Sequence, residues 1–123
     1  MAGELILIVE DNEKNRKLER DILQFHGYRT TEADNAEDGI ALAQATPPAL
    51  VLMDIQLPGM DGLTLTKQLK ADPRTSGIAI IAATAYAMKG DEERVRAAGC
   101  DGYITKPIDT RRLPQEIERY LAP

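Results

Sequence analysis

Five short apolar segments alternate along the chain with segments whose apolar residues recur at helical spacing. The apolar segments are Leu5–Glu10, Arg29–Ala33, Leu50–Met53, Ile78–Ala83 and Gly102–Thr105. Strands and helices that alternate in this way predict a parallel β-sheet with helices on both faces. The first, third and fourth segments are almost wholly apolar, so we expect them at the centre of the sheet and the other two at its edges.

Right-handed crossovers then favour the strand order 2-1-3-4-5 in a flavodoxin-like (βα)5 three-layer sandwich, an α/β fold. In the first predicted helix, Leu18, Ile22 and Phe25 share one face. Asn35 is typical of a helix start, and Asp109 is a second such start. Pro114 would then fall inside the last helix, so we expect that helix to begin near Leu113 or to have an irregular first turn.

The composition narrows the function classes. The chain has 123 residues, which is typical of one domain, and its apolar runs are far shorter than the roughly 20 residues that cross a bilayer. A net charge of −5 does not favour a nucleic-acid or membrane partner. One cysteine and one histidine supply neither a disulfide nor a histidine-rich zinc site. We expect a cytoplasmic protein without a signal peptide.

Polar side chains stand where the predicted strands end. Glu10 and Asp11 follow the first strand, Asp54 the third, Thr84 the fourth and Lys106 the fifth. The carboxyl ends of parallel strands meet at one edge, and ligands bind there at the point where the strand order reverses. Three clustered carboxylates repel one another and favour a bound cation. Oxygen ligands suit Mg²⁺ first, then Mn²⁺ or Ca²⁺.

This set of groups is suited to phosphoryl transfer. The Lys106 ammonium and the Thr84 hydroxyl could hold phosphoryl oxygens, while a carboxylate accepts the phosphoryl group as an aspartyl phosphate. An aspartate-nucleophile phosphatase is an alternative, but it would place a second acid where Gln56 stands. A flavin or nucleotide carrier of the same topology is another, but Asp11 and its acidic neighbours would repel phosphate.

The motifs resemble those of the receiver domains of bacterial two-component response regulators, over essentially the whole chain. The matching segments are Val9-Glu10-Asp11-Asn12, Leu52-Met53-Asp54-Ile55, Pro58-Gly59-Met60-Asp61-Gly62, Ala83-Thr84-Ala85 and Tyr103-Ile104-Thr105-Lys106-Pro107. The segment from Ala87 to Arg94 looks most like the DivK-type single-domain regulators. The resemblance implies a single receiver domain over residues 1–123.

The resemblance also implies residue roles. Asp54 would accept the phosphoryl group, and Lys106 would pair with it. Mg²⁺ would be held by Asp11, Asp54 and the backbone carbonyl of Gln56, with Glu10 acting mainly through water. Thr84 and Tyr103 would form the switch. The remaining implied roles are a cis peptide at Pro107, kinase docking by Lys14, Asn15 and Leu18, and tuning of the phosphoryl lifetime by Gln56 and Tyr86.

The function that follows is a signalling switch rather than an enzyme acting on a separate substrate. A sensor histidine kinase or histidine phosphotransfer protein would supply the phosphoryl group. A downstream protein would then bind the face formed by the fourth helix, fifth strand and fifth helix. We expect a monomer, with dimerisation on activation left open. A receiver excised from a larger regulator or hybrid kinase, and a scaffold that is not phosphorylated, stay as alternatives.

Overall fold

A computed structural model of the protein describes residues 3–84 and 91–121. The strands of its sheet are β1 (Leu5–Val9), β2 (Arg29–Ala33), β3 (Leu50–Asp54), β4 (Ala79–Thr84) and β5 (Gly102–Thr105). The helices of the described part are α1 (Glu13–Phe25), α2 (Ala36–Ala45), α3 (Gly62–Ala71), α4 (Asp91–Ala97) and α5 (Arg112–Leu121). Strands and helices alternate throughout, as the apolar segments predict.

The sheet is parallel and its strand order is β2-β1-β3-β4-β5. The predicted order is therefore confirmed, and the two segments of mixed polarity are the edge strands. β1 and β3 lie side by side at the centre, with Ile8 opposite Leu52. The order reverses between these two strands, and this places the ends of both at the expected ligand site.

Helix starts are set by side chains that accept hydrogen bonds from the first turn. Asn12 caps α1, Asn35 caps α2 through the amide of Asp38, and Asp61 caps α3. Each cap satisfies an amide that has no partner within its own helix. The predicted start at Asn35 is thus confirmed.

Two apolar clusters fill the space between the sheet and its helices. Cluster 1 lies against α2, α3 and α4, and it includes Leu7, Val9, Val51, Met53, Ala82, Leu65 and Val95. Cluster 2 lies against α1 and α5, and it includes Ile6, Ile8, Leu50, Leu52, Leu23, Leu113 and Ile117. The strand residues of the two clusters alternate in sequence, because successive side chains point to opposite faces of a sheet.

Several predicted boundaries shift by one residue. β1 ends at Val9 rather than Glu10, and β3 extends to Asp54 because that residue still pairs with Ala83 of β4. β4 likewise extends to Thr84, which pairs with β5. Strand ends are the least sharply defined part of an element, so these changes leave the topology as predicted.

The last helix begins at Arg112, so Pro114 falls in its first turn, where the missing amide costs no helical hydrogen bond. The Asp109 carboxylate accepts hydrogen bonds from the amides of Arg111 and Arg112 at 2.9 and 3.4 Å. Asp109 therefore closes a turn just ahead of the helix.

Helix α1 departs most from its sequence pattern. Of the face shared by Leu18, Ile22 and Phe25, only Ile22 packs against cluster 2, since Leu18 is 41% exposed and Phe25 is 85% exposed. The helix instead buries Glu19 and Leu23. Within residues 3–84 and 91–121, no helix combines the length and apolar character needed to cross a membrane.

Candidate phosphorylation site

The site lies at the carboxyl edge of the sheet, on the face covered by α1 and α5. Along β1 the alternation that places Ile8 in cluster 2 brings Glu10 to the same face. Along β3 the same alternation brings Asp54, two residues after Leu52, to this face as well. Lys106 follows β5 and reaches both carboxylates. Residues far apart in sequence thus converge because their strands are parallel.

Lys106 joins the two buried carboxylates. Its Nζ atom lies 2.5 Å from Oε1 of Glu10 and 3.0 Å from Oδ2 of Asp54. The side chain of Glu10 is 1% exposed and that of Asp54 is 10% exposed, so the ion pairs are largely removed from water. Charge pairs in such surroundings attract more strongly than surface pairs. The ammonium group therefore holds Asp54 in place.

Backbone amides fix the remaining oxygens. The amide of Gln56 donates to Oδ1 of Asp54 at 3.0 Å, so both oxygens of this carboxylate accept a hydrogen bond from a described residue. The amide of Asn12 donates to Oε2 of Glu10 at 3.2 Å, and Arg16 donates to the Glu10 carbonyl at 2.9 Å. Both carboxylates are consequently preorganised by the loops that follow their strands.

Burial and the neighbouring charges decide the protonation of the cluster. Burial raises the pKa of Glu10 to about 7, and the nearby Asp54 adds to this, although the hydrogen bond from Lys106 opposes it. Burial lowers the pKa of Lys106, but the hydrogen bonds to Glu10 and Asp54 outweigh it and the net shift is upward. Among the described residues, the Lys106 ammonium therefore contacts two carboxylates and neutralises the charge of only one.

The donor set fits a hard divalent cation. Carboxylate oxygens of Glu10, Asp11 and Asp54 lie within 4.8 Å of one another. Asp11 is exposed while the other two are buried, so the cluster opens to water on one side. Mg²⁺ prefers such oxygen ligands and retains several waters. Gln56 follows Asp54 closely, in the loop where a carbonyl ligand is expected.

Glycine at position 62 permits the close packing of α3 against the end of β3. A Cβ atom added to Gly62 would lie 2.6 Å from the carbonyl oxygen of Asp54 and 2.9 Å from Cα of Ile55. Backbone atoms cannot move aside cheaply at such distances. A larger residue would therefore displace the strand end that carries Asp54.

The predicted switch residues lie on the opposite face. Thr84 is 3% exposed and, with Gln56 and Arg94, lines a crevice of about 640 Å³ between α3 and α4. Tyr103 is half-buried and packs against cluster 1. The structure thus brings Glu10, Asp54 and Lys106 into contact and sets Thr84 and Tyr103 on the far side of the sheet edge.

The surface of α1 adjoins the site. Asn15 and Leu18 line a crevice of about 450 Å³ together with Lys106, Pro107 and Ile108. Lys14 is exposed in the first turn of the same helix. The Lys106–Pro107 peptide bond is cis. Tyr86, predicted to tune the phosphoryl lifetime, lies outside the described residues.

A family model for the response regulator receiver domain matches residues 6–118. The chain belongs to this family. The receiver domain is 50% identical over 116 residues to the polar-differentiation response regulator DivK of Brucella anthropi, and the match covers 94% of each chain.

Solved structures show the same fold. A putative response regulator from Chloroflexus aurantiacus superposes with a TM-score of 0.94 at 26% identity, covering 98% of this chain and 99% of that one. The receiver domain of sensor histidine kinase PA1611 from Pseudomonas aeruginosa superposes with a TM-score of 0.91 at 33% identity, covering 99% and 100%. That structure has a magnesium ion coordinated in its active-site cleft.

Sequence reasoning missed one charged residue next to the site. Glu19 of α1 is 2% exposed, although a glutamate in a charged helix is expected to face solvent. The sequence did hold a sign of its burial, because Glu19 lies four residues before the buried Leu23 and shares its helical face.

Proposed function

We propose that this receiver domain is a signalling switch that accepts a phosphoryl group on Asp54. The observation that carries the proposal is the contact of Lys106 with Asp54, beside two further carboxylates, Glu10 and Asp11. This arrangement supplies an acceptor oxygen, a cation for phosphoryl oxygens and ligands for a metal. Membership of the receiver family supports the same assignment.

The transfer follows from these groups. An oxygen of Asp54 attacks the phosphorus atom of a phosphohistidine, the P–O bond forms and the P–N bond breaks. The electron pair of the broken bond stays on the imidazole nitrogen, which takes a proton from solvent. Lys106 then pairs with the phosphoryl oxygens. Positioning and charge neutralisation supply most of the rate in such reactions.

A bound Mg²⁺ ion would neutralise the phosphoryl oxygens and the carboxylates during transfer. Glu10, Asp11, Asp54 and the carbonyl of Gln56 would hold it, and Mn²⁺ has the same ligand preference. The proximity of the three carboxylates supports this role.

The response would pass through Thr84 and Tyr103 to the face formed by α4, β5 and α5. A crevice of about 300 Å³ on this face is lined by Tyr103, Ile104 and Leu113, among others. A downstream protein would bind there once phosphorylation has shifted the conformational equilibrium. Gln56, which adjoins Asp54, and Tyr86 would set how long the phosphoryl group survives.

The phosphoryl donor, a histidine kinase or histidine phosphotransfer protein, would dock on α1. Lys14, Asn15 and Leu18 are placed for this because their helix borders the crevice that contains Lys106. We further propose a single-domain cytoplasmic regulator that catalyses only its own phosphorylation and slow dephosphorylation, and that is a monomer before activation.

The test is the intact mass of the protein after incubation with a small acyl phosphate, with and without Mg²⁺. We expect the wild type and Asp34→Asn, which alters an exposed carboxylate, to gain one phosphoryl group only with Mg²⁺. Asp54→Asn should fold and gain none. A phosphorylated Asp54→Asn protein would contradict the assignment, and a folded wild type that binds Mg²⁺ without any gain would indicate a scaffold.

A further inference from the structure

Glu19 is a buried carboxyl group that the proposed transfer does not use. It is 2% exposed, and of the residues of α1 only Leu23 is buried with it. Helix α1 runs back along the sheet after β1, so its first turns lie near the carboxyl edge. Glu19 is therefore one turn closer to that edge than Leu23, which packs in cluster 2. Glu19 therefore lies on the buried face of α1, on the side of Leu23 that is nearer the phosphorylation site.

The Glu19 carboxyl makes no hydrogen bond or ion pair within the described part of the chain. Two half-buried carboxylates on the elements packed against α1 are paired. Glu32 of β2 is held by Arg16 at 3.3 Å and Arg20 at 3.5 Å, and Glu116 of α5 lies 3.9 Å from Arg112. Glu19 has no such partner and depends on more distant charges.

The charges that act on Glu19 are those of the site. Burial raises the pKa of Glu19 to about 8, the carboxylates of Glu10 and Asp54 raise it further, and the Lys106 ammonium lowers it. A buried carboxyl without a partner is stable in its neutral form. At neutral pH the group therefore carries a proton, and two carboxylates of the metal cluster help to keep it there.

A divalent cation held by the cluster would reverse this balance. Its two positive charges would offset Glu10 and Asp54, which oppose the ionisation of Glu19, and would favour the ionised Glu19 carboxylate. We infer that Glu19 is a proton-linked regulator of metal binding, which releases its proton to solvent as a divalent cation occupies the phosphorylation site. This rests on the proposed metal role of Glu10, Asp11 and Asp54.

The linkage is reciprocal, since a proton that leaves on metal binding also competes with the metal. Low pH would thus weaken cation binding through Glu19, without any contact between Glu19 and the cation. The pKa of Glu10 is raised as well, but the Glu19 variants keep Glu10, so a comparison of each variant with the wild type isolates the contribution of Glu19.

The experiment is calorimetric titration of the whole chain with MgCl₂. Two buffers of different protonation enthalpy at one pH between 7 and 8 give the protons released per ion, and titrations from pH 6 to 9 give the Kd. The variants are Glu19→Gln and Glu19→Met, with Asp21→Asn as the control. Asp21 is exposed on the same helix, so this control removes one carboxylate without touching the site.

We expect the wild type and Asp21→Asn to release more protons per ion than either Glu19 variant. Between pH 7 and 9, the affinity for Mg²⁺ should rise about five-fold more in the wild type than in the Glu19 variants, the lower end of usual coupling between sites. Thermal melting establishes that each variant is folded. A purely structural role for Glu19 would leave the proton count unchanged.

Equal proton release and parallel pH profiles in all folded proteins would overturn the inference and leave the proposed function intact. Loss of Mg²⁺ binding in folded Glu19 variants at every pH would also overturn it, because Glu19 would then be a ligand. If the folded wild type does not bind Mg²⁺ at all, the metal role in the proposed function fails, and the inference fails with it.

Discussion

Helices α1 and α5 cover the same face of the sheet but are built in opposite ways. Helix α5 buries Leu113 and Ile117 in cluster 2, and none of its charged residues is buried. Helix α1 buries a glutamate beside Leu23 and leaves Phe25 in solvent. Both helices contribute to one core, yet only α5 follows the simple rule of apolar inside and polar outside.

This difference indicates that α5 serves mainly the stability of the fold, whereas the sequence of α1 is constrained by the phosphorylation site. Helix α5 stabilises the fold through ordinary burial of apolar surface. Helix α1 borders the phosphorylation site, so its buried face meets charges and its outer face borders the crevice that contains Lys106. Such departures from local rules are expected at functional positions.

The largest effect is expected in α5. Leu113→Ala removes a side chain that is 1% exposed and leaves a cavity in cluster 2. The free energy of unfolding should fall by about 3–5 kcal/mol, as for other fully buried leucines. Urea denaturation measures it. A loss below about 1 kcal/mol would show that α5 is not the stabilising helix of the pair.

In α1, Glu19→Gln should instead increase the free energy of unfolding. Folding raises the pKa of Glu19 from 4.5 to about 8, so the folded state is favoured by its proton. That stabilisation is complete below pH 4.5 and is lost as the pH rises to about 8. Glutamine cannot ionise, so the variant should be more stable than the wild type by up to about 3 kcal/mol at pH 7, at 1.36 kcal/mol per pKa unit.

The free energies of unfolding of the wild type and Glu19→Gln are compared from pH 4 to 9. Their difference isolates the Glu19 carboxyl group, because the other titrating groups contribute equally to both proteins. The difference in the free energy of unfolding should be small at pH 4 and should grow towards pH 8. A constant difference across this range would show that Glu19 does not titrate with a raised pKa. The metal is left out of these measurements.

The smallest effect on stability is expected on the exposed face of α1. Leu18→Ala should change the free energy of unfolding by less than about 1 kcal/mol, since Leu18 is 41% exposed. Phosphotransfer from a histidine kinase that phosphorylates the wild type should slow about five-fold or more, as for a docking residue. Phosphorylation by a small acyl phosphate is the control and should be unchanged. Equal slowing with both donors would contradict a docking role.

Much of the fold could be predicted because parallel strands that are buried on both faces must be apolar along their length. Leu50–Met53 and Ile78–Ala83 meet this condition, and the strands β3 and β4 that they form have the central positions expected for them. The convergence of Glu10, Asp54 and Lys106 was predictable for a related reason. Each follows a strand, and the topology brings strand ends to one edge.

Helix α1 could not be predicted to the same depth. The spacing of Leu18, Ile22 and Phe25 correctly indicates a helix, but periodicity does not say which face is buried when two faces compete. Glu19 and Leu23 form the second face. Which of the two faces is buried depends on the strands beneath the helix and on the loops beside it. Those elements lie far away in sequence.

The sequence by itself therefore determined the elements, their order and the chemical character of one sheet edge, because these follow from local patterns and chain connectivity. Only the tertiary structure decided that Lys106 bridges Glu10 and Asp54, that Thr84 and Tyr103 lie on the other face, and that Glu19 is buried. Burial and electrostatic coupling are sums over neighbours from several elements. Those neighbours exist only once the chain has folded.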